Sequence, residues 1–275
     1  MQLKTYSSVE AFQIGANSAL ENTDINVLLL TALYAAKDAT LPLVLATDRS
    51  GIQTCLLTRP QHGWCLGGQS PEASISIARH LHQESLHTNW LHGEASLTSN
   101  FINEWNRLSG KSIALAYSFE HMALAKEKLT LPSKPQGVFA WAGEQDIPRV
   151  AAASVNFYKE SLNAEHTIES QIDRLRPVVT EQRICVWKDQ AGQIVSQMEF
   201  MHGPPNEVRM AYLYTPPTMR GHGYAKALVA TFSQVLSNRG YRLTLFANPK
   251  KQHVVNLYKG LGYETKTRID RYDNL

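Results

Sequence analysis

The run Arg220-Gly221-His222-Gly223-Tyr224-Ala225 has the residue types and spacing to capture phosphate. It follows the apolar stretch Val208 to Tyr214 and the break Thr215-Pro216-Pro217. It leads into Ala225, Leu228, Val229, Phe232, Val235 and Leu236, which repeat with the spacing of one helix face. The glycines therefore sit at a strand-to-helix turn. Such a turn gathers main-chain N–H groups at the positive end of a helix, a receptor for phosphate oxygens that needs no charged side chain. The run does not fit G-x-x-x-x-G-K-[ST], which disfavours a P-loop, nor G-x-G-x-x-G, which disfavours a dinucleotide fold.

A second phrase stands downstream. After Gly240 come the strand-like Tyr241 to Ala247, then Asn248-Pro249, then Asn256-Leu257-Tyr258-Lys259-Gly260-Leu261-Gly262-Tyr263. With these two marks in this order, the chain resembles the GNAT superfamily of acyl-CoA-dependent N-acetyltransferases. Arg220, Gly223 and Ala225 fill that family's [QR]-x-x-G-x-[GA] signature. Leu257, Tyr258, Gly262 and Tyr263 fill its Leu-Tyr-x-x-x-Gly-aromatic phrase. The resemblance runs from about Gln136 to Asp273. It is similar to bacterial members that carry an extra, degenerate N-terminal GNAT-like domain.

The resemblance implies acetyl-CoA as acyl donor, an amine as acceptor and no metal. The diphosphate would rest on the N–H groups of Gly221, His222, Gly223, Tyr224 and Ala225. The side chain of Arg220 holds either the loop or a phosphate. The pantetheine arm would pair with the backbone of Leu213, Tyr214 and Thr215. Pro216 and Pro217 stop that strand, because neither donates to a ladder. Asn248 and Asn256 are candidate pantetheine contacts. The family often has an asparagine seven residues before the tyrosine, where this chain has Lys251.

Acyl transfer to an amine involves two proton events. A lysine-like amine of pKa about 10.4 costs roughly 4.6 kcal/mol to deprotonate at pH 7, and an α-amine roughly 1 kcal/mol. Tyr258 is the expected donor to the leaving thiolate, mainly as a hydrogen-bond donor. Glu199, on the preceding strand, is the better positional candidate for the base, and a water chain from a distant carboxylate is the alternative. Glu160 and Glu165 could line the acceptor cleft. A non-catalytic acyl-CoA-binding module is the alternative, favoured by the missing carboxylate in the strand before the loop and by Lys251. A scaffold with a chance motif is a third.

Composition bounds these readings. The chain has 275 residues, 43% hydrophobic and 19% charged, with a formal net charge of +3. That suits a sizeable core and either two domains or one large one. No basic run is long enough to track a nucleic-acid backbone. No apolar run reaches a membrane-spanning length, and the N-terminus lacks the apolar core of a signal peptide. Cys55, Cys65 and Cys185 are odd in number and lack C-x-x-C spacing, which disfavours disulfides and zinc and fits the reducing cytoplasm. Cys55 and Cys65 could lie on facing strands of a hairpin. His80, His82, His87 and His92 lack metal-ligand spacing.

The elements follow from periodicity. Helices are expected at Val9 to Leu20, Asp24 to Ala36, Pro71 to Glu84 with Ser70 as cap, and Leu97 to Arg107. Strands are expected at Pro42 to Thr47, Ile52 to Leu57, Asn89 to His92 and Ile113 to Phe119, with His121 to Lys128 irregular or a strand. The run Leu131 to Gly137, with two prolines, is the boundary, giving domains 1–133 and 134–275. Beyond it come a strand at Val138 to Trp141, helices from Gln145 to Leu162 and from Ile168 to Leu175, and a hairpin at Ile184 to Trp187 and Ile194 to Phe200. The fold class is mixed α+β: a mostly antiparallel GNAT-like sheet flanked by helices, preceded by a smaller α+β GNAT-like unit.

Overall fold

The structure is a computed structural model and describes residues 1–20, 42–59, 63–203 and 206–275. The expected helix at Asp24 to Ala36 lies outside the described residues. The chain divides into two compact units. The first holds Met1–His121, Ala247–Lys250 and Thr265–Leu275, and the second Met122–Phe246 and Lys251–Glu264. The units interleave in sequence, whereas the linear border at Ser133/Lys134 would cut the chain once.

The first unit begins with β1 (Gln2–Tyr6), α1 (Val9–Gly15) and α2 (Asn17–Leu20). Strands β2 (Leu43–Thr47), β3 (Gln53–Arg59) and β4 (Gly63–Gly68) follow, then α3 (Pro71–Gln83), β5 (Trp90–Glu94), α4 (Ala95–Ser109) and β6 (Leu115–Leu124). Helix α3 starts as its sequence requires: Ser70 accepts the Ala73 N–H (3.2 Å) and Pro71 occupies the first turn. Strands β1 and β4 were not foreseen. Three glycines weaken β4 as a strand by propensity, yet its six residues are all buried. At Gly63 a Cβ would overlap the Trp90 ring at 1.9 Å. The expected hairpin of cysteines is present, with Leu57 opposite Cys65 in the antiparallel β3–β4 ladder. All three thiols are free and buried.

One face of this sheet packs on α3 and α4 through Leu56, Trp64, Leu66, Ile77, Phe101 and Trp105. The other packs Leu43, Leu45, Cys55 and Leu57 on Phe12 and Ala16 of the first helices.

The second unit runs through β7 (Val138–Trp141), α5 (Ile147–Leu162), α6 (Ile168–Thr180), β8 (Ile184–Lys188), β9 (Ile194–Gly203) and β10 (Glu207–Tyr214). It continues with α7 (Tyr224–Asn238), β11 (Arg242–Ala247), α8 (Gln252–Lys259) and the start of β12 (Tyr263–Asp273). From Thr265 onward β12 belongs to the first unit, pairing antiparallel with β5 from Ile269↔Glu94 to Asp273↔Trp90.

Helix α6 overruns its expected end at Leu175 and continues through Pro177. Proline removes the N–H that would bond the Asp173 carbonyl, but Asp173 is exposed and water can serve it. Burial of Leu175, Val178 and Val179 against Val150 and Val186 outweighs the local cost. On the opposite face α7 packs Phe232 on Phe200 (ring centroids 4.9 Å) and Trp141 (6.1 Å).

Both units thus have the expected mixed α+β, mostly antiparallel character. Each unit also holds a parallel pair, β4–β5 in the first and β10–β11 in the second.

Candidate functional site

The second unit opens a slot in its sheet. The parallel β10–β11 ladder runs from Glu207↔Arg242 to Met210↔Leu245. On the other edge the β9–β10 register shifts, from Ala211↔Glu199 to Tyr214↔Gln197. Two residues of β10, Tyr212 and Leu213, thus oppose one of β9, which is a bulge. Tyr212 holds φ +54, a left-handed conformation costly for a bulky residue. From Ala211 to Tyr214 the β10 backbone leaves the parallel ladder, and Leu213 and Tyr214 are the strand residues the sequence selected.

The chain then turns at Pro216 and Pro217 into a 3-10 turn, Pro217–Met219. Gly221 and Gly223 take φ +82 and +81, and a Cβ on either would meet nothing within 4 Å. Gly223 is the N-cap of α7 and contributes no side-chain cap bond. The first turn of α7, at Tyr224 and Ala225, therefore presents N–H groups and its positive dipole end beside an exposed turn. His222 and Tyr224 stack loosely beside it, ring centroids 5.7 Å apart.

Arg220 is spent on the loop. Its Nε donates to the Thr215 carbonyl (2.9 Å) and its Nη2 to Glu160 Oε2 (2.6 Å). Tyr214 donates its hydroxyl to Glu160 Oε1 (2.7 Å). Burial draws the Glu160 carboxyl upward, but Arg220 and Tyr214 outweigh it and hold it below its usual range. Burial, then the bond to Glu160, pushes the Tyr214 phenol up to about 12. Lys251 is anchored to the end of α5, donating to the Glu160 carbonyl (3.4 Å) and Ser161 Oγ (3.3 Å).

Tyr258 lies on the buried face of α8 with Val255. Its ring stands edge-on to Tyr263, centroids 5.8 Å apart. The Tyr263 hydroxyl meets Ser233 Oγ (2.7 Å) and reaches Met210 Sδ (3.7 Å), where the β10–β11 ladder ends. This ties the phenol pair to the parting strands. Burial raises the Tyr258 phenol well above its ordinary value, so it stays protonated at neutral pH.

Glu199 is buried, 4% exposed, directly opposite Ala211 at the foot of the bulge. Both its oxygens accept from Arg174, Nη1 to Oε2 at 2.9 Å and Nη2 to Oε1 at 2.7 Å. Gln171 steadies the same guanidinium (2.9 Å). That guanidinium lies over the rings of Tyr212 (5.3 Å) and Tyr158 (5.8 Å). Phe157 and His166 extend the aromatic wall, 5.4 Å from Tyr212 and 4.3 Å from Tyr158. Burial, then the hydrogen bond to Tyr212, raises the Tyr158 phenol. No sequence signal marks this cluster, because its members come from four elements, α5, α6, β9 and β10, and from His166 between the two helices.

Two sequence-selected residues stand apart. Asn256 is exposed and accepts from Gln252 Nε2 (2.9 Å) on the solvent face of α8. Asn248 closes a turn by accepting the Lys250 N–H (2.9 Å) and falls in the first unit. Among the described residues no three His, Cys, Asp or Glu side chains come together as a metal group, and no helix is long and apolar enough to cross a membrane.

Comparison with known proteins bears on the fold. The family model described as FR47-like protein matches residues 201–272. No curated protein matches the chain by sequence. Among solved structures, a GCN5-related N-acetyltransferase from Sphaerobacter thermophilus matches with a TM-score of 0.65 at 16% identity, over 99% of this chain and 95% of that one. A GNAT-family acetyltransferase from Colwellia psychrerythraea matches with 0.62 at 11% identity, over 100% of both. A tandem GNAT protein from the clavulanic acid biosynthesis pathway matches with 0.58 at 11% identity, over 99% of this chain and 98% of that one. At these identities the likeness establishes the fold alone: a GNAT-like mixed α+β fold.

Proposed function

We propose that this chain, folded as the GNAT acetyltransferases are, transfers an acetyl group from acetyl-CoA to a primary amine by direct attack. One conjunction within the second unit carries the proposal: a helix start with no side-chain cap, two parting parallel strands and a buried, protonated phenol at the parting. The diphosphate rests on the N–H groups from Gly221 to Ala225. The pantetheine arm runs along Leu213, Tyr214 and Thr215 and brings the thioester to the bulge.

The amine nitrogen attacks the thioester carbon, the C–S bond breaks, and the acetyl group leaves with nitrogen. Tyr258 donates a hydrogen bond to the departing thiolate. Glu199 draws the proton of the amine through the outer lone pairs that the Arg174 fork leaves on its oxygens. Arg220 acts as a positioning residue that keeps the turn folded. Asn256 takes no part in this scheme. Three free thiols suit work in the reducing cytoplasm.

The test is free-thiol release from acetyl-CoA with a panel of amines. At least one amine raises release above background, and Tyr258→Phe lowers kcat about 10- to 100-fold while CoA affinity stays within about threefold. The guanidinium on both Glu199 oxygens favours a second reading, a non-catalytic acyl-CoA-binding module. Saturable CoA binding with no amine-dependent release, and no effect of Tyr258→Phe, would select that reading.

A further inference from the structure

A cavity on the α5 side of β9 is not used by the acyl-transfer scheme, and a buried polar atom is left unspent beside it. Gln197 is 1% exposed. Its Nε2 donates to the Val150 carbonyl (3.1 Å) and Ser154 Oγ (3.2 Å), both on α5. These bonds fix the amide, because turning it over would set Oε1 against the Val150 carbonyl oxygen. Oε1 is buried and, among the described residues, has no partner. A buried acceptor without a donor is costly, so the position calls for an N–H or O–H from elsewhere.

Gln197 lines a cavity of about 120 Å³, walled by Ala152, Ala153 and Ile194 and by Tyr214. Arg149 and Asn156, also in its lining, are exposed and stand at its rim. The volume admits several water-sized groups, enough for an amino acid with a short side chain and too little for a nucleotide. The chemistry is two-ended, a neutral acceptor on Gln197 and a guanidinium at the rim; between them stand small apolar side chains and Ser196, whose hydroxyl is already engaged with the Tyr214 carbonyl and Thr215 Oγ1.

We infer that this cavity binds a compact α-amino or α-hydroxy carboxylate. Its amine or hydroxyl donates to Gln197 Oε1, and its carboxylate meets Arg149. Occupancy bears on the glycine turn, because Tyr214 forms one wall and its hydroxyl holds Glu160, which holds Arg220, which holds the Thr215 carbonyl. This coupling rests on the proposed use of the turn; the binding itself does not.

Isothermal titration of the full chain, without CoA, tests the binding with L-alanine, L-lactate, propionate and ethylamine. L-Alanine or L-lactate gives a saturable isotherm. Propionate, which lacks the donor, and ethylamine, which lacks the carboxylate, bind at least about tenfold more weakly. Ala153→Leu fills the cavity from its α5 wall and abolishes the isotherm. Gln197→Leu removes the acceptor and lowers affinity for the preferred probe at least about tenfold. Absence of saturable heat from L-alanine and L-lactate would leave ordered water as the occupant and overturn the inference. So would propionate binding as tightly as L-alanine or L-lactate, or binding that survives both substitutions. The coupling is read separately, as a severalfold change in CoA affinity when the preferred probe is saturating. CoA affinity that stays constant removes the coupling, and absence of CoA binding removes the proposed function, with the probe isotherm untouched in either case.

Discussion

Glu199 illustrates what a residue's neighbours add to its type. Its strand register was legible enough to single it out, but the Arg174 fork on both its oxygens was not. Glu199→Gln is expected to lower kcat/KM about 100-fold, since an amide cannot accept the proton. A loss confined to KM, with kcat unchanged, would make Glu199 a positioning residue. The glycines permit a sharper test. Gly223 needs φ +81, which costs an alanine about 1–2 kcal/mol. Gly223→Ala should therefore weaken CoA binding roughly tenfold with little change in kcat, measured by titration and by saturation kinetics. The conformational demand on Gly221 and Gly223 could be read from the sequence because glycine at a strand-to-helix turn has few other uses. The role of Arg220 stayed open there, since loop and phosphate are both oxygen acceptors. The structure commits its guanidinium to Thr215 and Glu160.

At the scale of elements, legibility follows how local the cause is. Helix α3 was found with its cap because Ser70 and Pro71 act within one turn. Strand β4 was missed because its glycines answer to partners distant in the chain, Gly63 to Trp90 and Gly68 to Thr54. The bulge at Tyr212 was missed because no residue type announces a tyrosine at positive φ. The overrun of α6 past Pro177 depends on burial against other elements. Helices α3 and α4 are joined by a charge cluster that makes its own prediction. Arg107, then Arg79, hold the Glu104 carboxyl at about 2, with oxygen contacts of 2.7 and 2.6 Å. A carboxyl depressed in the folded state stabilises above its unfolded value, near 4.5, and loses that stabilisation as pH falls through 4.5 toward 2. With both guanidinium groups largely exposed, screening reduces the contribution to about 1–2 kcal/mol. Denaturant unfolding between pH 7 and pH 2 should show this decline, and Glu104→Gln should be less stable at pH 7 but flatter across that window.

For the molecule as a whole, the two units differ where they could have been alike. In the first, the turn after β4 satisfies itself. The Ser70 N–H donates to Thr54 Oγ1 (3.0 Å), Thr54 Oγ1 donates to the Ser70 carbonyl (2.7 Å), and the Gln69 N–H bonds the Gln53 carbonyl (2.9 Å). Its parallel ladder also stays closed as far as Leu66↔Gly93, so tightly that a Cβ at Gly93 would lie 2.6 Å from the Leu66 carbonyl oxygen. Among the described residues, the Gln69, Ser70 and Ala73 N–H groups of this turn are already taken and the strands stay paired through Leu66↔Gly93, which leaves less for a diphosphate or a thioester than the turn of the second unit does. Native mass spectrometry with saturating CoA should therefore find one cofactor per chain; two would mean that the first unit opens. The interleaving of the units was the least legible feature, because pairing residue 270 with residue 93 leaves no trace in either local pattern.

That interleaving bears on biogenesis. The amino-terminal half lacks part of its interior until Ile269 to Asp273 emerge from the ribosome, because Tyr272 and Leu275 belong to the cluster around Trp64 and Asp270 accepts from Ser118 at 2.6 Å. A nascent chain arrested at residue 250 would expose that interior to chaperones and proteases even though every residue of α3 and α4 had long been synthesised.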